Sequence, residues 1–515
     1  MGSAHKLREV MSRAQNWVSS FVSHATSHPD DPALVWCGEE TTYRELHALA
    51  NRERARITRL APERDKPIGV LAKKSPPAIA LVLACLMEGR SFLLPSPTLP
   101  PATVKGLFER AGCRYVLSPQ GPPESWPESL FSLRPSGSTE PRPAGPGRDV
   151  SFMFTTSGST GQPKVVPLRT GAVDRFTDWA GERFRIERGT TVLSYAPLNF
   201  DLSLLDIWTT LKRGGRVVLV DPTQVTRARS LLDVVERYGV QVVQAVPMFF
   251  GLLADAATAC GRRIDTVDHV ILTGDHTPPR LLAELPRLFG DARLYNVYGC
   301  TETNDSFLYE IDGTEPSGRL PIGSPLPGVH AVIVGADGQT LTGPGSGELY
   351  VTTPFQTDGY LDPEQNADRF TIRHQGQERL RYFRSGDLVH RDENGRIVLE
   401  GRSDHQVKVR GVRVNTREVE HVLEEHPDVV EAAVVAVPDA VAGHLLRCQV
   451  RRRPSSGLNS LELRGHCAHR LSPTAIPSAL RIVDDPLPRT STGKIDRALI
   501  AAHPHPSQPS EGQQR

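Results

Sequence analysis

From Arg216 onward, short β-branched apolar runs alternate with longer stretches in which apolar residues recur every three or four positions. "RVVLV" is followed by "RARSLLDVVERYG", then "VQVVQAVP", a helical stretch, "HVILTGD", a second helical stretch and "RLYNVYG". This alternation predicts a βαβαβ unit with a parallel sheet. In such sheets ligands bind in the crevice outside the carboxyl ends of the strands. Met248, Thr273 to Asp275 and Tyr298 to Thr303 fall on the loops after those strands and are expected to line one site, although they are far apart in the chain. After "GRSDHQ" (Gly401 to Gln406) the elements shorten to "VKVRGVRVN", "REVEHVLEEH" and "VVEAAVVAVP", which suggests a small α+β domain. Pro119 to Arg148 is rich in Pro, Gly and Ser and reads as a surface connection. The expectation is an α/β chain: a large N-terminal domain over residues 1–401 with parallel β-sheets flanked by helices, a small α+β C-terminal domain over 402–502, and a disordered tail over 503–515.

Composition narrows the class of partner. The 515 residues, 38% of them hydrophobic, are enough for two or more folded units. Lys and Arg (60) nearly balance Asp and Glu (59), without a long block of one sign, so no nucleic-acid or anionic-membrane surface is expected. Seven scattered cysteines form no CxxC pair, which argues against a disulfide framework and a zinc site and for reduced thiols. The longest apolar run, "AIALVLACLM" (Ala78 to Met87), is about half of the roughly 20 residues that cross a bilayer. The charged N-terminal stretch has no signal-peptide core. A soluble, cytoplasmic protein of bacterial type is expected.

The first chemistry-bearing stretch is "TTSGSTGQPK" (Thr155 to Lys164), with two glycines and five hydroxyl side chains directly after the apolar "VSFMF". Glycines let a backbone approach an anion, hydroxyls and main-chain N–H groups donate to phosphate oxygens, and Lys164 adds a charge, so the loop suits a polyphosphate. It is not a Walker loop, because Pro163 precedes Lys164 and Val165 follows it.

Further motifs follow in order: "NFDLS" (Asn199 to Ser203), "YGCTET" (Tyr298 to Thr303), "YFRSGDL" (Tyr382 to Leu388), "GRSDHQVKVRGVRVN" (Gly401 to Asn415) and "STGKIDR" (Ser491 to Arg497). With "TSGSTGQPK" they make six, and together they resemble the acyl-adenylate-forming superfamily, most closely the free-standing amino-acid adenylation enzymes of nonribosomal peptide synthesis. The resemblance runs from "TTYREL" (Thr41 to Leu46) to Arg497.

The resemblance implies an enzyme that uses ATP and Mg²⁺. It places Thr156, Ser157, Gly158, Ser159, Thr160, Gly161 and Lys164 on the phosphates, and Gly274 and Gly299 beside the nucleotide. Tyr298 would stack on adenine, Asn296 would meet its exocyclic amine, and Asp387 would hold the ribose hydroxyls with Arg402 nearby. Thr301 would bind the α-phosphate and Glu302 the Mg²⁺, a hard cation that prefers oxygen ligands. Lys494 would be the catalytic lysine bridging substrate carboxylate and phosphate, and Asp404 the hinge about which the small domain moves. Three positions depart from the family pattern: Val165 after the lysine, "TGDHTPP" (Thr273 to Pro279), and Cys300, which reads as a packing residue.

Asp201 in "NFDLS" separates amino acids from plain acids, since the resemblance assigns the position to the substrate's amino group; the bland reading is a cap for the helix that "LSLLDIWTTL" begins. The implied pocket is Asp201, Leu202, Leu205, Met248, Ile271, Thr273, Val297, Asp305, Ser306 and Lys494. Its wall is mostly apolar. Asp305 breaks that pattern and could pair with a second amine, receive a displaced β-amino group, or bond to Ser306. "GLNSLEL" (Gly457 to Leu463) looks like a phosphopantetheine attachment site but reads as a helix start capped by Asn459 or Ser460. The expected function is therefore activation of an amino acid as aminoacyl-AMP, then transfer to the phosphopantetheine thiol of a carrier protein in trans, in natural-product or antibiotic biosynthesis. The alternatives are an acyl-CoA or aryl-CoA ligase and a nucleotide-binding regulator without catalysis.

Overall fold

A computed structural model describes residues 17–119, 149–156, 163–312, 320–376, 378–402, 406–439, 442–489 and 495–502. The chain divides into two compact units. One comprises residues 17–97, 104–119, 149–156 and 164–402; the other is built on 406–502, with Thr98–Thr103 and Pro163 assigned to it.

The first unit contains three sheets. Its strands in chain order are β1 (Pro32–Trp36), β2 (Glu39–Thr42), β3 (Ile68–Val70), β4 (Phe92–Leu93), β5 (Tyr115–Leu117), β6 (Val150–Thr156), β7 (Lys164–Arg169), β8 (Thr191–Ser194), β9 (Arg216–Leu219) and β10 (Val242–Ala245). They continue as β11 (His269–Thr273), β12 (Arg293–Cys300), β13 (Asn304–Ile311), β14 (Ser324–Pro325), β15 (His330–Val334), β16 (Gly345–Thr352), β17 (Phe370–Gln375), β18 (Glu378–Arg391) and β19 (Ile397–Arg402). A nine-stranded sheet runs β14-β13-β12-β11-β10-β8-β9-β1-β2 and a five-stranded one β5-β3-β4-β6-β7. In the third, β15-β16-β18-β17, β19 pairs with β18.

The centre of the nine-stranded sheet is parallel, from β1 through β9, β8, β10 and β11 to β12. Both of its faces are covered, which is why its strands read as continuous apolar runs rather than alternating ones. Val192, Val217, Val242, Ile271 and Val297 enter one core cluster, while Leu193, Val218, Val243, Val270 and Leu272 enter another. The second cluster is filled by the amphipathic helices Ala228–Arg237, Pro247–Cys260 and Pro279–Phe289. The sheet becomes antiparallel at β13, so "RLYNVYG" continues to Cys300 as half of a hairpin rather than ending in a loop.

Two N-terminal helices begin on strong caps. Thr42 and Glu45 of "TTYREL" form a capping box on Tyr43–Leu60, and Ser75 caps Pro76–Met87, which carries a proline in its first turn. The run "AIALVLACLM" lies in this second helix, almost wholly buried. No helix among the described residues is long and apolar enough to cross a membrane.

"LSLLDIWTTL" does not make the ordinary α-helix expected. Leu204–Thr209 is π-helical, and the Thr209 hydroxyl donates to the carbonyl of Leu204, five residues back, at 2.8 Å. Such widened turns are frequent at functional sites.

The second unit has the hairpin β20 (Gln406–Val409) and β21 (Val412–Asn415), and the sheet of β22 (Val429–Asp439), β23 (Gly443–Arg452) and β24 (Ala479–Val483). Helix Thr416–Glu424 is capped by Asn415, and helix Ser460–Ala468 by Asn459, which accepts from the N–H groups of Leu461 and Glu462. The "GLNSLEL" stretch is thus a capped helix start.

Candidate active site

The glycine-rich loop joins two antiparallel strands, with Thr156 of β6 opposite Lys164 of β7. A Walker loop instead leads from a strand into a helix. Ser157, Gly158, Ser159, Thr160 and Gly161 lie outside the described residues. At the loop's base, the buried Thr156 hydroxyl has no hydrogen-bond partner among the described residues. Lys164 is also buried, and its ammonium stands 4.4 Å from the centroid of the Tyr360 ring. The Tyr360 hydroxyl in turn donates to Glu302 Oε1 at 2.7 Å. One tyrosine therefore meets both the lysine at the base of the glycine-rich loop and the carboxylate expected to face the metal.

Thr301, Glu302 and Thr303 form the tip of the β12–β13 hairpin. Asn304 follows in the left-handed region (φ 58°), as three-residue hairpins favour. Gly299 is required here, since a Cβ would lie 2.4 Å from the carbonyl oxygen of Asn304. The tip is pinned from behind: Thr357 N–H donates to the Glu302 carbonyl at 2.9 Å, and the Thr353 hydroxyl to that of Thr303 at 2.8 Å. Among the described residues no cluster of three or more His, Cys, Asp or Glu could hold a metal ion. A cation at the fully buried Glu302 would have to complete its shell with oxygens from a nucleotide or water, which is the habit of Mg²⁺.

Tyr298, Asp387 and Arg402, expected around the nucleoside, come together as one network. The Tyr298 hydroxyl and the Arg402 guanidinium each donate to one oxygen of Asp387, and Arg402 Nη2 also donates to the Ser385 carbonyl at 2.8 Å. Asp387 and Arg402 are direct cross-strand partners on β18 and β19. Burial, with the neighbouring Asp387 carboxylate, pushes the Tyr298 phenol well above its ordinary value, so it acts as a donor. Asn296 Nδ2 donates to the Pro321 carbonyl at 2.7 Å. Its Oδ1 has no partner among the described residues and can accept from an amine. Gly274 follows β11 with φ +85°, and a Cβ there would press Val246 at 3.1 Å. These observations fit a nucleotide: acceptors for hydroxyls and an amine, and an orphaned hydroxyl and a lysine at a loop for phosphates.

The expected pocket residues of the first unit lie on β11, β12 and β13 of the nine-stranded sheet, on the helix after β10 and on the segment after β8. Ile271, Thr273 and Val297 are buried, with Thr273 and Val297 side by side across β11 and β12. Met248, half-buried, is not on a loop but in the first turn of helix Pro247–Cys260. Leu205 is buried in the π-helical segment, whose cap position is Ser203; Asp201 and Leu202, half-buried, precede it. Asp305 is buried, and its pKa is pushed up to about 7, chiefly by burial and further by Asp201. Ser306 is committed elsewhere: its hydroxyl meets Thr303 Oγ1 at 3.1 Å and the Asn304 carbonyl at 3.0 Å. The option that Asp305 merely bonds to Ser306 is therefore corrected, because the tight turn at Asn304 directs that hydroxyl to the hairpin tip.

Sequence reasoning missed two groups besides Tyr360. Lys74, buried, donates all three N–H bonds to the carbonyls of Ser194 (2.6 Å), Tyr195 (3.0 Å) and Ala196 (2.9 Å), fixing the start of the segment that leads to Asp201. Burial lowers its pKa to about 7, against the pull of Asp206 and Asp221. Asp206 is fully buried in the π-helical turn, and neither carboxyl oxygen has a hydrogen-bond partner among the described residues. Burial raises its pKa well above the ordinary value, Lys74 lowers it and Asp305 raises it. An acid in an apolar helix pattern was the only available signal for Asp206.

Lys494 and Asp404 lie outside the described residues. The flanks of Lys494 are anchored within the second unit: Ile495 bridges to Arg489, and Arg497 makes a two-pronged ion pair with the buried Glu420, at 2.7 and 3.0 Å.

Comparison with known proteins places this geometry. The chain is 29% identical over 495 residues to an L-proline--[L-prolyl-carrier protein] ligase of Pseudomonas fluorescens, covering 92% of this chain and 96% of that one. It is 27% identical over 429 residues to a D-alanine--D-alanyl carrier protein ligase of Bacillus licheniformis, covering 81% and 85%. Other relatives are long peptide synthases, of which the chain spans a small part, such as 13% of one subunit. The fold matches an amide bond synthetase from Marinactinospora thermotolerans with a TM-score of 0.80 at 24% identity, over 95% of this chain and 99% of that one. Residues 21–361 match the AMP-binding enzyme family and residues 418–494 the C-terminal domain of the same enzymes; the chain belongs to the AMP-binding enzyme family.

Proposed function

We propose that the chain activates an amino acid with ATP and passes the aminoacyl group to the phosphopantetheine thiol of a carrier protein supplied in trans. The observation that supports the amino-acid half is the buried carboxyl of Asp305, pushed up chiefly by burial and further by the charge of Asp201, at a wall that is mostly apolar. An ammonium entering such a pocket loses water and needs a fixed counter-charge, whereas a plain acid gains nothing from one. The two carrier-protein ligases similar over most of their length support the transfer half.

In the first step an oxygen of the substrate carboxylate attacks the α-phosphorus, the bond to the bridging oxygen breaks, and pyrophosphate leaves with the electron pair. Asp201 holds the substrate ammonium and thereby aims the carboxylate. Tyr298, Asn296, Asp387 and Arg402 hold the nucleoside; Thr156, Lys164 and the loop Ser157 to Gly161 hold the departing phosphates. Thr301 takes the α-phosphate, and Lys494 spans carboxylate and phosphate. Glu302 would hold Mg²⁺, which supplies neutralising charge on the phosphate oxygens. In the second step the carrier thiolate attacks the acyl carbon and AMP leaves, after a movement of the small domain about Asp404. None of the seven cysteines is in a disulfide, which suits a reducing cytoplasm and a role in peptide-type natural-product biosynthesis.

The test is ATP–pyrophosphate exchange across amino acids and simple acids. Exchange that requires an amino acid supports the reading; exchange with amine-free acids and thioester formation on coenzyme A would replace it by an acyl-CoA or aryl-CoA ligase.

A further inference from the structure

Asp201 sits on a stretch that belongs to no strand. Past Ser194, the last residue of β8, the chain runs through successive turns to the π-helical segment. Phe200 N–H donates to the Pro197 carbonyl at 3.1 Å, Ser203 N–H to that of Phe200 at 3.0 Å, and Leu204 N–H to that of Asp201 at 2.9 Å. Both ends of this stretch are tied to distant parts of the chain. At the far end the Trp17 indole N–H donates to the Trp208 carbonyl at 2.9 Å. At the near end the Lys74 ammonium, from the connection after β3 of the five-stranded sheet, gathers the carbonyls of Ser194, Tyr195 and Ala196 at 2.6, 3.0 and 2.9 Å. The Ser194 carbonyl is still in the ladder and accepts from Val220 as well. Tyr195 and Ala196 have left it, and Lys74 meets their carbonyls.

Successive carbonyls of an extended chain point to opposite sides, so three of them converge on one atom only where the chain bends. An ammonium has three donors and no acceptor, and here all three are used. The position is otherwise a poor one for a cation. Lys74 is 3% exposed and directly precedes Ser75, the cap of helix Pro76–Met87, whose positive end repels it. Burial lowers its pKa to about 7. A neutral side chain would escape both penalties but leave buried carbonyls unmet, so what the ammonium secures is the path of the chain. The clasp is also remote from the nucleotide residues. Strands β10 and β11 separate β8 from β12, which carries Asn296 and Tyr298, and Asp387 and Arg402 belong to another sheet.

Resting on the amino-acid reading above, we infer that Lys74 is a positioning residue for amino-acid selection: by gathering the three carbonyls at the end of β8 it fixes the path of residues 195–203, and so the place where Asp201 meets the substrate's ammonium. Its loss displaces one half of the site and leaves the other in place.

The experiment is ATP–pyrophosphate exchange by the full chain, native and with Lys74→Met or Lys74→Gln. The probes are the proteinogenic amino acid that the native chain prefers and the deaminated acid of the same skeleton. Lys74→Met removes all three donors at nearly the same length. It should lower kcat/KM for the amino acid by roughly 10–100-fold, the scale of an ångström-sized misplacement, through KM more than kcat. The KM for ATP and the rate with the deaminated acid, which makes no use of Asp201, should stay nearly where they are. Lys74→Gln keeps two donors on a shorter stem and should lose less, in the same parameter; it carries the test if Lys74→Met does not fold, with ATP binding as the check on folding. A folded variant that keeps its preference for the amine, or in which the KM values for ATP and amino acid rise together, would overturn the inference and leave Lys74 a support of the fold alone. Native exchange with amine-free acids only would overturn the amino-acid reading and this inference with it.

Discussion

The nucleotide side and the acid side of the site are built on opposite terms. Among the residues assigned to the nucleotide most polar groups are tied down before any ligand arrives: Asp387 between Tyr298 and Arg402, the Asn296 amide nitrogen to Pro321, and Glu302, assigned to the metal, to Tyr360. On the acid side Asp305, both oxygens of Asp206 and Gln244 Oε1 accept no hydrogen bond among the described residues. The nucleotide is the same at every turnover, so its half can be made rigid at no loss of choice. The acid must be chosen among similar molecules, and open buried acceptors choose by the penalty they impose on the wrong one.

The largest expected effect comes from the residue assigned to the meeting of the two halves. Lys494→Ala should lower adenylate formation by roughly 10²–10³-fold, as when a charge-stabilising donor is removed, with ATP binding nearly unchanged. Exchange kinetics beside nucleotide calorimetry measure both; equal loss of the two would put Lys494 in nucleotide binding alone. Next, Asp387→Ala should raise the apparent KM for ATP by roughly 10–100-fold, at about 1.5–3 kcal/mol for a charged hydrogen bond, while the KM for the amino acid stays put. A parallel rise in both would blur the division into halves. Tyr360→Phe keeps the ring beneath Lys164 but removes the hydroxyl that donates to Glu302 Oε1. It should raise the Mg²⁺ requirement by roughly 10-fold, the usual scale for a group that orients a metal ligand.

The smallest effect is on stability and has the opposite sign to an ordinary core mutation. Burial, and further the charge of Asp201, pushes the Asp305 carboxyl from its ordinary 3.8 up to about 7 in the folded chain. Between those values the folded chain keeps a proton that the unfolded chain releases, so this group weakens the fold as pH rises through the window, and its full cost stands above pH 7. Asp305→Asn should therefore raise Tm by about 1–3 °C at pH 8, with the gain disappearing near pH 4. A fall in Tm at pH 8 would make Asp305 a structural residue like its partnered counterparts across the site.

Legibility in the sequence follows the same division. The loop "TTSGSTGQPK", the "YGCTET" tip and Asp387 stood out because the chemistry assigned to them needs glycines, hydroxyls and carboxylates at fixed local spacing. The parallel sheet was visible because both faces are covered and its strands are continuously apolar. Tyr360 and Lys74 were not, since each works through a contact distant in the chain: Tyr360 bonds to a residue 58 positions away, and Lys74 to carbonyls 120 to 122 positions away. Strand β13 and the π-helical turn escaped for a related reason. The first is defined by its pairing with β12, and the second by main-chain turns one residue wider than those of an α-helix, beside a threonine hydroxyl that reaches five residues back.

The central claim is that the acid side is built for an amine, and Asp201 carries it. The direct measurement is kcat/KM in ATP–pyrophosphate exchange for the preferred amino acid and for its deaminated analogue, with the native enzyme and with Asp201→Asn. The account predicts a strong preference for the amine in the native enzyme and a loss of roughly 10²-fold or more for the amino acid in the variant, the cost of breaking a buried charge pair, with the deaminated acid gaining relative to it. A native enzyme that prefers the deaminated acid, at a rate that Asp201→Asn leaves unchanged, would contradict it.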